Sequence, residues 1–137
     1  MNRNRCNRES GQALVFVALG LVLLLGFVAL GIDMGVMRYQ KRVQQTGADA
    51  AAIAEANDLG FGGVNTAAAQ TAAANNGFSG ATVNFNQVCP TSVTDLTVTV
   101  NNPPRSGPHA SGANSADYVE VCLATLQPTY FCAHFWN

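Results

Sequence analysis

Few residues in this chain are of a kind that does chemistry, and their spacing argues against most of the chemistry they could do. His109 lies in a stretch rich in proline, glycine, serine and asparagine, and His134 stands three residues from the last one. Neither has a carboxylate or a nucleophile at the spacing of a catalytic triad or a metal site, so both read as surface or packing histidines. Gly60, Gly62 and Gly63 do not follow a strand in a phosphate-cradling pattern, and mark a turn instead. Asp49 is a lone acid within a helical stretch and reads as a solvated or capping group. The four cysteines, Cys6, Cys89, Cys122 and Cys132, fit no zinc-ligand spacing. Cys89 and Cys122 either close a disulfide across a loop of about 30 residues, contributing roughly 3–4 kcal/mol, or are two small buried apolar side chains. The expectation is a protein without catalytic residues, cofactor, metal or small-molecule substrate.

The elements that would hold these residues are organised around Ala13 to Ile32, twenty residues without a charge, amide or hydroxyl. At about 1.5 Å per residue such a helix covers roughly 30 Å, the thickness of a bilayer's hydrocarbon core. It reads as a membrane span, with the lipid bilayer as its first partner. A buried core helix would be shorter and would keep a polar stripe. A cleaved secretory signal is the competing reading, since Arg3, Arg5 and Arg8 precede the run and Ala29-Leu30-Gly31 resembles a cleavage site. Against it, the run exceeds the usual apolar core of about 7–15 residues.

Charge orients this span and excludes one class of partner. Beyond Ile32 there are four basic residues (Arg38, Lys41, Arg42, Arg105) and seven acidic ones, so nucleic acid has no electrostatic footprint to bind. Arg3, Arg5 and Arg8 lie on one side of the span and Arg38, Lys41 and Arg42 on the other. The first set belongs to a short arm, residues 1–12, which favours a cytoplasmic N-terminus. Cys6 would then be in the reducing compartment and Cys89, Cys122 and Cys132 in an oxidising one.

Past Ile32 no proline interrupts the helix, and a continuation over residues 33–59 is expected. Gly31, Gly35, Val36, Tyr39, Val43, Gly47, Ala50, Ala51, Ile53 and Ala54 recur at three-four spacing and form a narrow seam suited to close helix packing. Asp33 would sit at the head-group level. Residues 60–137 would form a small α+β domain. Asn65 or Thr66 caps an alanine-rich second helix that ends at Gly77 and packs antiparallel to the first. Three short strands with one apolar face each follow, Ala81 to Asn86, Thr94 to Val100 and Tyr118 to Leu126, in a small antiparallel sheet with a flexible loop at 101–117. The aromatic end, Pro128 to Trp136, would want a partner or more chain. The fold class is thus an α+β membrane protein.

The stretch from Arg8 to Ala56 carries four further features in a fixed order: Gly11-Gln12 opening the apolar helix, the Gly31-Ile32-Asp33 exit, the basic Arg38-Tyr39-x-Lys41-Arg42, and Gly47-Ala48-Asp49-Ala50-Ala51-Ala52. In these it resembles the TadE/TadG-like proteins of bacterial tight-adherence (Flp) pilus systems, and the TadG-like branch in particular. The likeness continues more loosely through Ala67 to Phe78, Val98 to Pro104 with Gly107, and Tyr118 to Val121. The resemblance implies a single-pass inner-membrane protein whose bulk lies outside the cytoplasm, with other Tad/Flp pilus-assembly membrane proteins as partners. TadE-like pseudopilins carry Glu at the fifth residue after a leader cut, where a cut after Gly11 would place Phe16; Glu9 lies on the other side. The chain ends where larger TadG-like members continue, as a short member or a truncated reading frame would.

The expected function is therefore a non-enzymatic membrane component of pilus assembly or anchoring. The alternatives are a pilin-like filament subunit released by cleavage after Gly11, and a soluble domain secreted after signal-peptidase cleavage.

Overall fold

The computed structural model describes residues 10–64 and 66–127. They divide between two compact units, one holding the chain up to Met37 and the other running from Arg38 to Pro128. Helix α1, Ser10–Phe61, belongs to both. It has no internal proline, and it ends where Gly62 and Gly63 both take positive φ, a conformation that costs glycine little. In the first unit every side chain from Gly11 to Val28 is exposed. Asp33, by contrast, is only 2% exposed.

The second unit adds helix α2 (Thr66–Asn75), strands β1 (Thr82–Phe85), β2 (Thr97–Asn101) and β3 (Glu120–Ala124), and a 3₁₀ turn at Ser115–Asp117. Helix α2 stops through a Schellman motif. Gly77, at φ 95°, donates to the Ala74 carbonyl at 3.1 Å, and Phe78 donates to the Ala73 carbonyl at 3.0 Å. The motif turns the chain so that Phe78 drops into the core, 8% exposed, beside Ala73. Sequence thus fixes a helix end, and the helix end places the largest side chain of the core.

The expected antiparallel sheet is corrected to a mixed one. Its order is β1-β2-β3, with β1 parallel and β2 antiparallel to their next neighbours, Val83 opposite Val98 and Thr99 opposite Cys122. A parallel pair needs a crossover of about a dozen residues, commonly built on a helix. Here the connection from Asn86 to Leu96 contains no helix, and a disulfide from Cys89 to Cys122 of β3 holds it across the sheet. A run of strands with no helix between them reads as hairpins, which is why the pattern alone misses the crossover.

Strand β2 keeps one apolar and one polar side, and both sides are covered. Val98, Thr99, Val100 and Asn101 are all fully buried. Side chains alternate along a strand, and paired residues point the same way. Val98, Val100, Val121 and Leu123 therefore line one face, against Ala51 of α1, Ala69 and Ala73 of α2, and Phe78. Thr99, Asn101, Cys122 and Glu120 line the other, where Cys89 of the crossover meets Cys122 and Asn101, and Arg105 and Ser106 meet Glu120. Phe78, Val98 and Val100 each contribute about 1.5–3 kcal/mol by burial. The core is otherwise alanine, which makes covalent and polar ties count.

Candidate functional site

The candidate sites among the described residues are surfaces and ties. The first is the apolar half of α1. Among the described residues α1 is the one helix long and apolar enough to cross a membrane. Its large side chains between Ala13 and Ile32 are exposed throughout, Leu14 at 71% and Phe27 at 74% for example. That much exposed apolar surface is far beyond what a soluble monomer presents.

The second is the small-residue seam. The structure brings together part of it: Gly47 and Ala51 are buried, and Val43, Ala50 and Ala54 half-buried, facing their own unit. At Gly47 a Cβ would stand 2.6 Å from Cε2 and 2.7 Å from Cδ2 of Phe78, with Leu123 Cδ1 at 3.5 Å. The glycine is there because an aromatic ring lies on the helix backbone. Val36 is half-buried. Gly31, Gly35, Tyr39 and Ile53 stay exposed, and the two glycines have nothing within 4 Å of a Cβ. Glu55 is fully buried. Its place in the row Gly47, Ala51, Glu55 at intervals of four could have been read from the sequence and was missed.

The third is a polar tie at Glu120, which no local pattern of residues announces. Asn101 Nδ2 donates to its Oε2 at 3.0 Å and the Arg105 backbone N–H at 2.9 Å, while the Ser106 hydroxyl donates to Oε1. Asn102 adds bonds to the Ala116 and Tyr118 carbonyls, both 2.8 Å, and Arg105 Nη2 donates to the Asn86 carbonyl. His109 stacks on Tyr118 with ring centroids 3.9 Å apart. The 102–117 segment is therefore bound to β3 mainly through one carboxylate. Burial raises the Glu120 pKa, but the hydrogen bonds from Ser106, Asn101 and the Arg105 and Ser106 amides outweigh it and hold the carboxyl below its ordinary value.

A carboxylate with a lowered folded-state pKa stabilises the fold above its unfolded pKa of about 4.3, and that stability is lost as pH falls through the folded value. Glu120→Gln is accordingly expected to cost about 1–3 kcal/mol at neutral pH. Melting temperatures taken from pH 7 to pH 3 should converge for variant and wild type at the acid end. A constant gap across that range would show that the charge is not what ties the segment.

Cys89, Cys122 and Glu120 place their ligand atoms within 4.8 Å of one another, the one such grouping among the described residues. The disulfide uses both sulfurs, so the group offers no thiolate to a metal. Cys6, Cys132, His134 and the aromatic end lie outside the described residues.

With the geometry in place, the match to known proteins falls on one element. Residues 11–58 match the family model described as "Putative Flp pilus-assembly TadE/G-like". The matched segment covers α1 almost entirely: the apolar half, the basic stretch at Arg38 to Arg42, and the buried Gly47 and Ala51. It stops short of α2 and the sheet. No curated protein and no solved structure matches the chain.

Proposed function

We propose that this chain is a non-enzymatic, single-pass membrane component of Flp/Tad-type pilus assembly or anchoring, of the TadG-like kind. The observation that carries the reading is the coincidence of the family match with α1, whose stretch from Ala13 to Ile32 is apolar with its large side chains exposed. In this reading Ala13 to Ile32 lies in the bacterial inner membrane, the N-terminus is cytoplasmic, and the Arg38–Pro128 unit stands outside the cytoplasm, where the Cys89–Cys122 disulfide persists. The exposed seam residues Gly31, Gly35 and Ile53 meet helices of other Tad/Flp assembly proteins, and the sheet unit docks on their extracytoplasmic parts. Binding comes from close packing and buried apolar area.

Deleting the gene for this chain in its natural host is expected to abolish surface filaments and adherence, both restored by the intact gene in trans. Electron microscopy and a surface-adhesion count read the outcome. Filaments of normal number on the deletion strain would remove the assembly role and leave only the anchor.

A further inference from the structure

We propose that Arg38, Lys41 and Arg42, with Tyr39 among them, form a collar on α1 that binds the phosphate groups of anionic phospholipid headgroups. The inference rests on the reading of Ala13 to Ile32 as membrane-embedded and adds to it a lipid preference.

Four observations converge on it. Positions 38, 41 and 42 share one helix face, and all three side chains are exposed; the core-facing row at Val43 and Gly47 points elsewhere. Tyr39 between them is 67% exposed. No carboxylate occurs between Asp33 and Asp49, and none of the three cations has an ion pair among the described residues. Charge is also segregated along the chain. Beyond Arg42 six acidic residues face the single cation Arg105, whose guanidinium is committed to the Asn86 carbonyl. The collar thus holds the free positive charge of everything that follows the apolar run.

Position in the helix then selects the partner. Arg38 lies six residues past Ile32, about 9 Å along the axis, and the headgroup layer extends roughly 5–7 Å beyond the hydrocarbon. Helical side chains lean toward the N-terminus, here the bilayer side, so the long arginine and lysine stems reach back to the phosphates. Lys41 and Arg42 start about 5 Å further out and come within a Debye length, about 8 Å, of the same surface. Tyrosine is at home at that level, with its ring toward the lipid and its hydroxyl in water. The ligand is a phosphate ester carrying net negative charge, presented many times over on a surface.

The test uses the full chain in vesicles of phosphatidylcholine and phosphatidylglycerol at 4:1, with spin-labelled versions of each lipid in turn. The motionally restricted share of each label in the spin-resonance spectrum gives its relative association with the protein. The expected result is a preference for phosphatidylglycerol that drops in R38Q/K41Q/R42Q, by up to about fivefold for each cation removed, while R3Q/R5Q/R8Q retains the collar's share. All three collar positions are exposed, so an unchanged melting temperature accompanies the loss. An undiminished preference in the collar variant overturns the proposal. So does a preference that inorganic phosphate competes away at matched ionic strength, which assigns the collar to a free anion. If neither lipid shows a restricted population, the span itself is not in the bilayer and the underlying reading has failed.

Discussion

Phe78→Ala is expected to lower the stability of the Arg38–Pro128 unit by about 3–5 kcal/mol, the usual cost of emptying a buried aromatic site. For a unit of this size that corresponds to a fall in melting temperature of at least about 12 °C. The loss is large because the ring is the one big side chain among alanines and valines: it covers Gly47 on α1 and sits beside Ala73 and Val98. The same geometry predicts a change of sign at Gly47. In the wild type, Gly47→Ala pushes a methyl to 2.6 Å from the ring and should cost about 1–3 kcal/mol. In the Phe78→Ala background the clash is gone, and alanine's better helix propensity should make the same change stabilising by up to about 1 kcal/mol. Calorimetry on the detergent-solubilised full chain reads all four corners of this cycle. Simple additivity of the two changes would mean that ring and glycine do not meet.

The second large effect is at the disulfide. Cys89 and Cys122 have Cα atoms 5.8 Å apart and are separated by 33 residues. Cross-linking a loop of that length removes enough freedom from the unfolded chain to stabilise the fold by roughly 3–4 kcal/mol. The C89S/C122S variant should therefore melt well below the wild type, and reduced wild type should melt with it. The bridge also ties the crossover to β3, so its loss should open the Asn86–Leu96 connection to protease before the rest of the unit. Equal melting temperatures with and without reductant would show that the hydrogen bonds around Glu120 hold that face unaided.

How much of this was legible in the sequence differs by element. The apolar run needed no tertiary context, because twenty uncharged residues have few other uses. Gly77 announced its helix end for a local reason, positive φ, and the alternation at Val83, Val98, Val121 and Leu123 marked the three strands to within a few residues. What local pattern could not carry was the partner of each feature. Parallel pairing of β1 with β2 depends on where an irregular connection travels, and only the bridge to Cys122 reveals that. Thr99 and Asn101 look solvent-facing by alternation, yet both are fully buried. Gly47 was recognisable as a close-packing position, whereas the ring that packs there lies 31 residues later in the chain. Glu120 is one acid among many until the loop that binds it is in place.

Everything proposed for this chain presupposes that the first half of α1 stays in lipid. Alkaline carbonate extraction of membranes, with the intact mass taken from each fraction, addresses that most directly. The account predicts the polypeptide in the membrane pellet with residues 13–32 still attached. Release of the chain into the carbonate supernatant, at full mass or lacking the apolar run, would contradict it.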